Sequence, residues 1–180
     1  MNDFKNILIV RTDRIGDVVL TTPAIKALRQ AYPAARISIL VAPLTKDLVT
    51  GNPYLDEIIV DDRRGVHRGI IGFWRLASVL RQKKFDLAVV YHTKKRTNCL
   101  CRAAGIPRRT GYRNEKFGFL LNDPIADERH LGRQHEAQYC LDVLRHLGIT
   151  GNTILDKSPQ DLAEDLYVPV SDDARVWIEQ

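Results

Sequence analysis

Asn6-Ile7-Leu8-Ile9-Val10-Arg11-Thr12-Asp13-Arg14-Ile15-Gly16-Asp17-Val18-Val19-Leu20-Thr21-Thr22-Pro23 is the stretch from which the fold is read. Its apolar opening, rich in β-branched residues, has the composition of a strand buried on both faces. The polar turn Thr12-Asp13-Arg14 follows. Gly16-Asp17 then opens a segment with helical spacing. A strand, a glycine-bearing turn and a helix are how open α/β folds present a site at the carboxyl end of a sheet. Gly16 lets another group approach the backbone closely, and the first-turn amides favour negative charge. Asp17 falls where its carboxylate can face the crevice.

Outward from this stretch, strands and helices alternate. A helix is expected from Asp17 to Ala31, delayed or kinked at Pro23 and ended by Tyr32-Pro33. Further strands are expected at Arg36–Val41, Glu57–Val60, Leu87–Tyr91 and Arg109–Tyr112. A short helical turn is expected over Thr45–Thr50. An amphipathic helix is expected over Ile70–Lys84, burying Ile70, Phe73, Trp74, Ala77 and Leu80. A short helix should run from Asn98 to Ala104. Residues 113–134 are irregular, with a possible extended piece at Phe117–Leu121, and a loop of that length is often functional. His135–Leu147 returns to helix, with Gly148 as its C-cap. The fold class is therefore α/β, with a parallel sheet flanked by helices.

Composition sets bounds on this reading. The chain has 180 residues, 44% hydrophobic and 27% charged, as a globular domain has. No apolar run approaches the roughly 20 residues that cross a bilayer, and no secretory leader is recognisable, so the cytoplasm is the default compartment. Charge is unevenly divided. Residues 1–149 carry a net +10 and residues 150–180 a net −5. The basic body suggests an anionic partner. The acidic, aperiodic segment Gly151–Pro169 reads as a linker, and Ser171 onward as the start of a helix cut off at Gln180. The chain is accordingly expected to be part of a longer protein, or a shortened one. Three cysteines without metal-like spacing read as free thiols.

Arg11-Thr12-Asp13-Arg14-Ile15-Gly16-Asp17-Val18-Val19-Leu20-Thr21-Thr22-Pro23-Ala24-Ile25 closely resembles the opening signature of the heptosyltransferases, glycosyltransferase family 9. Ala104-Gly105-Ile106-Pro107-Arg108-Arg109-Thr110-Gly111-Tyr112, Leu120-Leu121-Asn122-Asp123 and His135-Glu136 support the likeness, which covers residues 5–150. It implies a Rossmann-like, N-terminal, acceptor-binding half of a GT-B glycosyltransferase, with the donor-binding half beyond residue 150. The implied reaction moves heptose from ADP-heptose to the anionic lipopolysaccharide inner core, with inversion. It takes place in the cytoplasm, with peripheral association at the inner face of the inner membrane. Nucleic acid, a bound cofactor and a metal are not expected. This chain alone is expected to have little activity.

The resemblance makes Asp17 the general base, which takes the proton of the attacking hydroxyl. Read without it, Asp17 more simply caps or charges the helix start. Asp13 is the alternative base. Gly16, Thr21 and Thr22 are candidates to meet the acceptor; their bland roles are a positive-φ turn and ordinary helical positions. Arg63, Arg64, Arg68, Lys94, Arg96 and Arg113 are candidates to bind its carboxylates and phosphates, as three strand ends converging on one rim. Singly, each reads equally well as a solvated charge. Phe73 and Trp74 are expected in the core rather than against lipid. Asp61-Asp62 reads as loop solvation. His92 is the histidine placed to line the crevice.

Overall fold

The computed structural model describes residues 3–115, 117–151 and 153–169. Six parallel strands form one sheet: β1 (Asn6–Val10), β2 (Arg36–Val41), β3 (Glu57–Val60), β4 (Leu87–Val90), β5 (Arg108–Arg113) and β6 (Asp123–Ala126). Their order is β3-β2-β1-β4-β5-β6, that of the dinucleotide-binding folds. Four helices cover the sheet: α1 (Ile15–Ala31), α2 (Gly69–Gln82), α3 (Lys95–Ala103) and α4 (Glu136–His146).

β1 is central because both of its faces are apolar. Ile7 and Ile9 enter one core with residues of α1 and α4, and Leu8 and Val10 enter the other with residues of α2 and α3. The sheet is thus a buried middle layer, which parallel pairing requires. Gly111 seals the β4–β5 pairing. A Cβ there would lie 2.3 Å from the Val90 carbonyl oxygen, so only glycine fits.

Several expectations need correction. α1 starts at Ile15 and runs through Pro23. Proline cannot donate to the Val19 carbonyl one turn earlier, and the Thr22 hydroxyl donates to it instead, at 2.6 Å. The helical turn expected over Thr45–Thr50 is a 3₁₀ turn at Pro43–Thr45 followed by hydrogen-bonded turns over residues 47–50. Phe117–Leu121 is not extended. It holds a 3₁₀ turn at Gly118–Leu120, and the strand comes after it as β6.

α2 buries only part of the expected stripe: Ala77 and Leu80 are buried and Phe73 packs against the core, but Ile70 and Trp74 are exposed. Gly72 and Leu76 also face the core. Gly72 is the reason. A Cβ at that position would meet the His67 backbone at 2.2 Å, so the preceding loop folds tightly against the helix and sets its rotation.

The segment after α4 is not a loose linker over its described part. Ile154, Leu155 and Leu162 join the first core. Asp165 is buried and bridges Lys26 and Lys157 at 2.7 and 2.6 Å. The Tyr167 amide donates to Thr22 Oγ1 at 2.9 Å. The helix expected from Ser171 lies outside the described residues.

Candidate active site

Strand succession reverses between β1 and β4, and ligands of open α/β sheets bind where it does. The turns after these two strands are stitched together there. The Tyr91 and His92 amides both donate to the Val10 carbonyl, at 3.1 and 3.3 Å. Thr12 Oγ1 lies 2.8 Å from His92 Nδ1.

Arg11, the first residue beyond β1, is the anchor of this site. Its side chain is 1% exposed, so its charge has almost no water and needs protein partners. Nη2 donates to Glu136 Oε1 at 2.7 Å, and Nε donates to the Asp17 carbonyl at 3.1 Å. Asp13 Oδ1 lies 3.2 Å from Nε, and Asp17 Oδ1 lies 3.6 Å from Nη2. Three carboxylates therefore surround one buried guanidinium. Arg11 and Glu136 escaped the sequence reading as site residues. The signal was an arginine directly after a buried strand with acids two and six residues on, together with the His135-Glu136 block.

Asp17 is in the first turn of α1. Arg14 is the N-cap, and no side chain makes a capping hydrogen bond there. The capping role is therefore not used, although the carboxylate still stands in the favourable field of the first-turn amides. The Asp17 backbone is held twice, since the Thr21 hydroxyl also donates to its carbonyl, at 2.7 Å. Its side chain is 31% exposed, against 18% for Asp13. Burial, only partly offset by Arg11, raises the Asp13 carboxyl above its ordinary range. Asp13 Oδ1 is buried. Of the two acids, Asp17 is the more exposed. Gly16 is exposed without a positive φ, and a Cβ there would meet nothing within 4 Å. The positive-φ role is thus absent, and open space lies above it.

Thr21 and Thr22 leave the candidate acceptor set. They are 0% and 1% exposed, and their hydroxyls serve carbonyls of their own helix. Arg96 is likewise committed. It forms a bidentate pair with Asp61 at 2.8 and 2.8 Å and donates to the His67 carbonyl at 2.9 Å. Asp61 is accordingly a buried structural acid rather than loop solvation. Asp62 accepts from the Gly65 and Val66 amides.

The remaining cations converge only in part, those after β3 and β4 in one cleft and the one at the end of β5 in another. A cleft of about 800 Å³ on the α2–α3 face gathers Arg63, Ile70, Trp74, His92, Lys94 and Arg96. Arg64 and Arg68 are exposed on the loop outside its wall. Arg113 lines a second cleft, about 500 Å³, with Asn114, Asp127, Arg129, His130 and Glu136. The reason is topological: β3 is an edge strand, while β5 lies beyond β4 on the other side. The loop after β6 supplies the Asp127–Arg129 bidentate pair, and Arg129 stacks over Tyr112 at 4.5 Å. Asp17 lies between the clefts, joined through Arg11 to Glu136 on one side and within the electrostatic reach of His92 on the other. Burial first, then Lys94, Arg11 and Arg63, pushes the His92 imidazole down to about 4, so it is neutral near pH 7.

No protein-family model matches the chain. It is 26% identical over 173 residues to lipopolysaccharide heptosyltransferase 2 of Escherichia coli K12, covering 91% of this chain and 45% of that one. Among solved structures, the family 9 glycosyl transferase of Veillonella parvula superposes with a TM-score of 0.82 at 27% identity. That match covers 99% of this chain and 49% of the other. The E. coli ADP-heptose heptosyltransferase II, at 23% identity and a TM-score of 0.67, shares the fold. These likenesses bear out the resemblance to the heptosyltransferases of glycosyltransferase family 9. The chain spans about half the length of the relatives it matches.

Proposed function

We propose that this chain is the acceptor-binding half of an inverting glycosyltransferase of heptosyltransferase type, with Asp17 as general base. The observation that carries the reading is the state of the Asp17 carboxylate. It caps nothing, lies 3.6 Å from Arg11 Nη2 on a backbone held by Arg11 and Thr21 through the Asp17 carbonyl, and is part-exposed at the switch point near a cationic cleft. In inverting transfer the acceptor oxygen attacks the anomeric carbon as the C–O bond to the nucleotide diphosphate breaks on the opposite face. The acceptor proton must leave at the same time, and Asp17 takes it. Gly16 leaves room for the incoming sugar.

The donor in this reading is ADP-heptose, as named for the E. coli structural relative. The acceptor is the lipopolysaccharide inner core, whose sugar-acid carboxylates and phosphates suit Arg63 and Lys94 in the first cleft and Arg113 in the second. The residues that select the donor belong to the half of the relatives that this chain does not span.

The experiment separates the two halves. The 180-residue chain is titrated calorimetrically with inner-core oligosaccharide and with ADP. Transfer from ADP-heptose is assayed with the chain alone and with the chain joined to a second half. Acceptor binding by the chain alone, with transfer only in the joined protein, is the expected result. Tight ADP binding at the Gly16 turn and no acceptor binding would overturn the division of labour. The net +10 charge of residues 1–149 suits one other reading: a module that holds the anionic glycolipid and catalyses nothing. Acceptor binding without transfer in any joined form selects it.

A further inference from the structure

Arg11 Nη2 stands between two carboxylates and serves them unequally. It donates to Glu136 Oε1 at 2.7 Å but lies 3.6 Å from Asp17 Oδ1, too far for a hydrogen bond. The guanidinium has little freedom to choose otherwise. It is almost wholly buried, and its Nε donates to the Asp17 backbone carbonyl at 3.1 Å. Its carbon lies over the Tyr91 ring, 5.9 Å from the centroid.

Glu136 is held as firmly, from another element. It is the first residue of α4, and the N-cap His135 accepts from the Ala137 amide through Nδ1 at 3.4 Å. Thr21 links α4 to α1 beneath the site. Its hydroxyl donates to the Asp17 carbonyl and lies 3.7 Å from Cys140 Sγ on α4.

Other arrangements of these four groups serve proton transfer less well. A guanidinium donating straight to Asp17 Oδ1 would occupy that oxygen and favour the charged carboxylate, making it a reluctant proton acceptor. Without the cation, three carboxylates would repel one another and turn Asp17 away. With Nη2 engaged by Glu136, Arg11 tempers that repulsion from beyond bonding distance.

We infer that Glu136 and Arg11 are positioning residues for Asp17. Glu136 draws Nη2 to itself, which leaves the Asp17 carboxylate oriented, unbonded to the guanidinium and open to the acceptor's proton. The inference rests on the general-base reading of Asp17. In the step it serves, the acceptor oxygen bonds the anomeric carbon, the nucleotide diphosphate leaves with the bonding pair, and Asp17 takes the proton. Arg11 is too buried to reach a substrate. Glu136 also lines the second cleft, where direct contact with the acceptor would show in KM, whereas positioning shows in kcat.

The test uses the chain joined to a second half, with ADP-heptose and inner-core oligosaccharide, and compares rates per folded molecule. Glu136→Ala releases Nη2 to bond Asp17. Its kcat should fall by about 10–10²-fold, as a misplaced reacting group costs, while acceptor KM stays near the parent's. Glu136→Gln still offers Nη2 an oxygen and should restore most of kcat. Arg11→Lys keeps the charge but loses the fork, so it should lose kcat to a similar degree and carries the test if Glu136→Ala fails to fold. Asp17→Asn is the control for the underlying reading. Full kcat in Glu136→Ala or Arg11→Lys, with Asp17→Asn inactive, overturns the positioning role and leaves the base in place. A Glu136→Gln as slow as Glu136→Ala does the same, as does a loss confined to acceptor KM. An active Asp17→Asn, or no transfer by the joined parent, overturns the base and this inference with it.

Discussion

Arg11 and Glu136 are 125 residues apart in the chain, yet their side chains meet at 2.7 Å. The pair ties the turn after the central strand to the start of α4. It also completes the charge balance around a guanidinium that is almost wholly buried. Glu136→Gln keeps the shape and removes the charge, and should cost about 1–2 kcal/mol. Arg11→Met leaves Asp13, Asp17 and Glu136 without their cation, and should cost about 3 kcal/mol. Burial already raises the Asp13 carboxyl, so its protonation in acid relieves the repulsion. The Arg11→Met deficit should therefore shrink as pH falls toward 4. Urea titrations at two pH values measure both effects, and a deficit that grows in acid contradicts this account.

His92 gives a pH signature of its own. Its imidazole is held down to about 4 in the fold, against 6.5 ordinarily, chiefly by burial and then by Lys94, Arg11 and Arg63. Between these values the unfolded chain binds the proton and the folded chain does not. Stability therefore falls as pH drops from 6.5 to 4. His92→Gln removes that part of the slope. Denaturation midpoints for the two proteins that fall in parallel over this window would show that His92 does not titrate as described.

Two glycines should respond oppositely to alanine. At Gly111 the new methyl meets the Val90 carbonyl oxygen at 2.3 Å, forcing β4 and β5 apart at a cost of about 2–3 kcal/mol. At Gly16 it meets nothing within 4 Å. Alanine at a helical glycine then gains up to about 1 kcal/mol. If the space above Gly16 receives the acceptor, Gly16→Ala should nonetheless weaken acceptor binding. Thermal melts and acceptor titrations of both variants separate fold from site.

The order of elements was legible because a parallel sheet announces itself. Short β-branched runs such as Ile7–Val10 and Leu87–Val90 alternate with helical periodicity, and Gly-Asn-Pro or Gly-Ile-Pro breaks them. The Asp17 turn was legible for the same reason, since it follows the strand buried on both faces. The exposed face of α2 was not. Periodicity gives a stripe but not its rotation, which Gly72 sets through a contact with the loop before it. Nor was the fate of Thr21, Thr22 and Arg96. A hydroxyl or guanidinium reads alike in sequence whether it meets a ligand or, as here, a helix carbonyl or a buried aspartate. The acidic segment after Gly151 concealed its anchors because Ile154, Leu155 and Leu162 follow no single period.

That segment gives a further prediction. Burial alone would raise the Asp165 carboxyl, but hydrogen bonds from Lys157 and Lys26 outweigh it and lower it below the ordinary 3.8. The clamp's stability is thus fully present above that value and is lost as pH falls through the depressed folded-state one. Asp165→Asn should loosen the segment from α1 at neutral pH. Limited proteolysis should then cut between residues 150 and 168 faster than in the parent, while the sheet melts nearly unchanged. Equal cleavage rates would mean that the apolar contacts alone hold the segment.

The most direct test of the central claim is the turnover of Asp17→Asn in the chain joined to a second half, assayed with ADP-heptose and inner-core acceptor. Asparagine preserves shape and cannot accept the proton. With acceptor affinity and melting unchanged, kcat should fall by about 10²–10⁴. Turnover within a few-fold of the parent would contradict the assignment, leaving Asp17 a charge at a helix start and moving the search for the base to Asp13.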